Sequence, residues 1–155
     1  MRDFDKFTNN LDKVVTTEKF ANSAKKALFS ADTTPDEISL ILSKYEVRDL
    51  FEINLLKDLI RSLSEQHKLL TLINTIVSLV SDIYEQIQDS LTGLITSLII
   101  SDSGDKRFLG RKLFDTYKPS IEDIDILNFD EDSQVRFAAS LTQDYGEAEH
   151  RGRHV

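Results

Sequence analysis

The side chains with the most scope for chemistry in this sequence are carboxylates at short spacing. Asp123 with Asp125, and Asp130 with Asp132, alternate as the opening of a calcium loop does, because acids two residues apart can converge on a hard cation. Neither pair is followed by the turn glycine and closing glutamate at the required spacing, so both read as helix caps or a solvated ridge. Asp82, Glu85 and Asp89 recur at three and four residues, which on one continuous helix places them on one side. A di-metal bundle would add a Glu-x-x-His motif from each of two helices, and the sequence has only one, Glu147 to His150 in its terminal stretch. General acid–base work at neutral pH most often uses histidine. His150 and His154 fall in a terminal stretch with little to bury, and His67 has only Glu65 close by. Phosphate-loop, nucleophile-elbow and His-Glu-x-x-His signatures are absent, and with no cysteine there is no thiolate chemistry and no disulfide. The residues therefore point to a protein that is not an enzyme and carries no cofactor or metal.

Charge is the stronger signal. The formal net charge is -8, and the stretch 119–150 alone holds nine acids against Arg136. Immediately before it, Lys106, Arg107, Arg111, Lys112 and Lys118 face only Asp115. A one-signed field speeds encounter and rejects wrong partners. The candidate partner-binding residues are thus Asp123, Asp125, Asp130, Glu131 and Asp132 on the acidic side, with Lys106, Arg107, Arg111 and Lys112 on the basic side. The expected partner is another protein with a basic surface. Self-association is a further option, with 106–118 of one copy meeting 119–150 of another. A sequence pI near 4.9 disfavours nucleic acid as the partner.

The elements that must carry these charges read as helices. Phe4, Phe7, Leu11 and Val14 step by three, four and three, and Phe20, Ala24, Ala27 and Leu28 repeat the stripe after a cap at Thr16 or Thr17. Thr34, Pro35, Asp36 and Glu37 make a capping box for a helix reaching about Tyr45. A further helix is predicted over 48–63. From 65 to 100 a seam of Leu69, Ile73, Ile76, Val80, Ile83, Ile87 and Leu94 has an apolar column beside it: Leu70, Val77, Tyr84, Leu91 and Leu98. The face is too wide for a two-stranded coil, so this is an interior helix, with a break expected between Asp89 and Gly93. A basic helix follows over 105–117, stopped by Pro119, and a last helix runs from Asp132 to about Tyr145.

Length sets the frame. With 155 residues, five Gly, two Pro and 40% apolar content, the chain suits one all-α domain of about six to eight helices over 1–146, with a tail at 147–155. No signal-type segment, sequon or membrane-length apolar run occurs, which leads us to expect a cytoplasmic protein.

A shift of 28 places aligns Asp102 with Asp130, Leu113 with Leu141 and Tyr117 with Tyr145. The run Asp130, Glu131, Asp132, Ser133, Gln134, Val135, Arg136, Phe137, Ala138, Ala139 resembles the second-helix entry of HEAT and armadillo-type repeats, the resemblance lying mainly in 101–146. It implies a short stack of helical hairpins in which Arg136 pairs with an acidic turn of an adjacent repeat. An irregular helical bundle is the other architecture that the pattern allows. The functional expectation is a non-enzymatic protein–protein interaction module acting through 106–149 as an adaptor, regulatory subunit or inhibitor-like partner. The alternatives are a carboxylate-based metal protein or enzyme, and a nucleic-acid-associated factor using the basic helix 106–118.

Overall fold

The computed structural model describes residues 1–119, and within them the fold is all-α: eight α-helices and one 3-10 turn, with no strand among the described residues. The chain divides into two compact units, Met1–Gln88 and a second that begins at Asp89.

In the first unit, α1 (Asp3–Leu11) and α2 (Thr17–Phe29) fold back on each other across residues 12–16. Phe7 is fully buried and meets Phe20 at a centroid distance of 5.7 Å, a tilted ring contact worth more than its area alone. The hydroxyl of Thr16 accepts the Lys19 amide, so the expected threonine cap starts α2. The apolar stripe of α1 overreaches: Leu11 is 37% exposed and Val14 wholly exposed, because the helix ends at Leu11 and the β-branched pair Val14 and Val15 lies in the connection.

Helix α3 (Pro35–Leu42) begins with the expected capping box. Glu37 N–H donates to Thr34 Oγ1 at 3.2 Å, and Thr34 N–H donates to Glu37 Oε1 at 3.0 Å. The same carboxylate takes a two-pronged bond from Arg2, at 3.0 and 2.6 Å. That guanidinium, then the Thr34 amide, holds the Glu37 carboxyl down at about 2. Arg2 also donates to the Asp32 carbonyl, so the connection between α2 and α3 is tied to the start of α1.

The helix predicted over 48–63 starts later, at Ile53. A one-turn α4 (Tyr45–Arg48) closes after Arg48, and α5 (Ile53–Glu65) starts afresh because the Glu52 side chain caps the Leu55 amide. Helix α5 ends in a Schellman motif. Lys68 N–H reaches the Leu63 carbonyl and His67 N–H the Ser64 carbonyl, with His67 at φ 59°, where glycine usually stands. This turn aims Lys68 back at the α2–α3 connection. Its ammonium donates to the carbonyls of Ala31 and Thr33 and to Gln66 Oε1, and burial lowers its pKa against an opposing pull from Asp32. Thr33 is fully buried there, and its hydroxyl bonds no described group.

The long periodic stretch is also divided, but not where expected. After the 3-10 turn Leu70–Leu72, α6 (Ile73–Asp82) and α7 (Tyr84–Ile99) are separated at Ile83, whereas Asp89 and Gly93 lie inside an unbroken α7. Ile83 takes a bridge conformation, φ -105° and ψ 15°, and is completely buried, so the break is packed into the core and leaves no polar loop to read in the sequence. All seven seam residues are buried as expected. Of the flanking column only Leu91 and Leu98 are; Leu70 and Tyr84 are exposed, and Leu72 and Leu79 widen the face from the other side.

In the second unit, α8 (Gly104–Tyr117) follows α7 and covers the whole of the basic helix predicted over 105–117. Leu109, Gly110 and Leu113 are buried, while Phe108 and Phe114 are only half-buried. The helix ends at Lys118 in a left-handed conformation, its amide bonded to the Phe114 carbonyl, one residue before Pro119.

Candidate functional site

Helix α8 places the four basic candidates unequally. Arg107 is turned onto its own unit's backbone, Nη1 donating to the Ser101 carbonyl at 2.7 Å just beyond the end of α7. A cation there bonds a carbonyl of the α7–α8 connection and complements the dipole at the end of α7. Arg111 and Lys112 both sit on the Phe108 ring, at 5.8 and 5.4 Å from its centroid, so the half-buried aromatic draws two cations together. The Arg111 Nε is shielded from solvent, Lys106 is half-buried, and Lys112 is the exposed member of the four. The acidic candidates Asp123, Asp125, Asp130, Glu131 and Asp132 lie outside the described residues, as do His150, His154 and the run from Asp130 to Ala139.

The carboxylate trio is split by the break at Ile83. Asp82 closes α6 and pairs with Arg48, which also donates to the Leu42 carbonyl, while Glu85 and Asp89 belong to α7. Among the described residues no three acids, histidines or cysteines are grouped to hold a metal ion.

A feature that the sequence reading passed over lies between α1 and α2. Asp3, Lys6, Asn10 and Lys13 step by three, four and three, and so do Thr16, Lys19, Ser23 and Lys26. Within the helices, Asp3, Lys6 and Asn10 on α1, and Lys19, Ser23 and Lys26 on α2, lie one residue ahead of the apolar stripe, or about 100° of rotation from the buried face, while Lys13 and Thr16 stand in the connection. With the hairpin closed, the two sets line one solvent-open groove of about 660 Å³. Lys6, Lys13, Lys19 and Lys26 are all exposed, and none forms an ion pair with a described residue. The groove's own acids are Asp3 and Glu18, so four lysines outnumber two carboxylates in a chain that is acidic as a whole. The signal was present in the 3-4-3 spacing, but a polar stripe beside an apolar one usually marks a solvated face; only the pairing of two such stripes makes a groove.

No family model, no curated protein and no solved structure matches this chain. No helix among the described residues is long and apolar enough to cross a membrane.

Proposed function

We propose that this chain is a non-enzymatic helical interaction module that engages another protein through the charged surface of 106–149. The observation that carries this reading is the abrupt change of sign along the chain: five cations against one acid over 106–118, then nine acids against one arginine over 119–150. Helix α8 supports it by spending Leu109, Gly110 and Leu113 on packing while Lys112 remains in solvent and Arg111 is held beside it on Phe108. The mechanism is electrostatic capture of a basic partner followed by burial of a few apolar groups, with charge acting more on the association rate than on the final affinity. Adaptor, regulatory subunit and inhibitor-like partner are the roles this fits, with the cytoplasm as its setting. The close α7–α8 pairing at Gly110 is compatible with a short HEAT-like stack of helical hairpins.

The test compares the wild-type chain with the triple variant Asp130→Asn, Glu131→Gln, Asp132→Asn as baits for proteins of the source lysate at about 50 mM salt, where screening is weak. A partner whose association is slowed in the variant, while its circular dichroism is unchanged, supports the reading. Capture at the wild-type rate refutes it for this surface.

A further inference from the structure

The lysine-lined groove between α1 and α2 is independent of the 106–149 surface, and its chemistry is more specific. We infer that it is a docking site for an extended acidic peptide of a partner protein, one with carboxylates about three residues apart.

Spacing sets the register. Lys19 and Lys26 are seven residues apart on α2, which puts them about 10 Å apart along its axis, while on the other wall Lys6 lies on α1 and Lys13 two residues beyond its end. An extended chain rises about 3.3 Å per residue, so acids at positions one and four of a peptide laid along the groove match that interval. Between the lysines stand Asn10 on α1 and Asn22 on α2, whose side chains bond no described residue. A carboxamide offers both donors and an acceptor, which suits the alternating N–H and C=O of a peptide backbone. The phosphodiesters of a DNA strand offer acceptors only and match the carboxamide donors alone. Charge points the same way. Asp3 and Glu18 within the groove, and a net charge of -8 on the chain, oppose a ligand as densely anionic as nucleic acid, whereas a peptide with spaced acids concentrates its charge at the lysines. The volume of about 660 Å³ lies within the range of sites that enclose small ligands, enough for a few residues of extended chain.

The test is fluorescence anisotropy on the full chain with a labelled Glu-Ser-Ser-Glu-Ser-Ser-Glu peptide in low salt. Its comparison probe has the same composition with the three acids adjacent. The Lys6→Gln/Lys19→Gln double variant removes one lysine from each wall. The Lys25→Gln/Lys57→Gln variant loses the same net charge from exposed positions outside the groove, and circular dichroism checks that both fold. The expected result is tighter binding of the spaced peptide, weakened about tenfold by the groove variant and less than about twofold by the control. Equal weakening by both variants, no preference for spaced acids, or displacement of the peptide by an oligonucleotide of equal charge at equal concentration would each overturn the assignment.

Discussion

Gly93 and Gly110 are both interior residues of helices in the same unit, and alanine at the two sites should move stability in opposite directions. An added Cβ at Gly93 meets nothing within 4 Å, so only the backbone counts. Alanine there gains helix propensity, stabilising by about 1 kcal/mol. At Gly110 the same Cβ would stand 2.8 Å from Leu98 Cβ, 2.9 Å from the Ile99 nitrogen and 3.0 Å from the Leu98 carbonyl carbon. Carbon atoms at rest sit about 3.5–4.0 Å apart, so α8 must retreat from α7 by up to about 1 Å. Two of the three obstacles are backbone atoms, and no rotamer change clears them. Overpacking of this kind costs about 1–3 kcal/mol, which offsets or exceeds the propensity gain. The propensity gain is common to both substitutions, so the difference between the variants isolates the overlap. We expect Gly110→Ala to be less stable than Gly93→Ala by about 2 kcal/mol, or roughly 4–8 °C in Tm for a chain of this size. Urea unfolding followed by circular dichroism at 25 °C measures it. Equal stabilisation by the two substitutions would show that α7 and α8 do not approach at Gly110, and the packing argument for this pair would fail.

Three further substitutions probe the first unit. Thr33→Val removes a buried hydroxyl that bonds no described group at nearly constant shape, and should raise stability by about 1 kcal/mol in urea titration; a loss of that size would show that the hydroxyl is satisfied. His67→Gly places glycine at the left-handed residue of the Schellman motif and should stabilise by up to about 1 kcal/mol, with Gly elsewhere on the α5 surface doing the reverse. Glu37→Gln keeps an acceptor for the Thr34 amide but removes the charge facing Arg2. Because the folded Glu37 carboxyl is held at about 2, below its ordinary value, its contribution is present above that ordinary value and fades as pH falls toward 2. The variant should therefore be weaker than wild type at pH 6, with the gap closing by about pH 2; a gap independent of pH would mean that the Arg2 contact contributes nothing.

Local patterns that close within a few residues are legible in the sequence alone. The Thr34–Glu37 capping box, the Thr16 cap and the basic helix α8 are contacts between near neighbours, and apolar spacing alone placed the seven seam residues in the interior. The boundaries that failed are those decided at a distance. The stripe of α1 suggested burial for Val14, yet the turn to α2 leaves it in solvent. Helix α6 stops before Ile83, an apolar residue with no glycine or proline beside it, because core packing supports a bridge conformation there. A histidine in the left-handed turn after α5 lets Lys68 bond the α2–α3 connection more than 30 residues earlier in the chain. The groove follows the same rule. Each row of lysines is written in local spacing along its own half of the hairpin, but a row becomes one wall of a groove only when the hairpin brings the other beside it, which local periodicity does not encode.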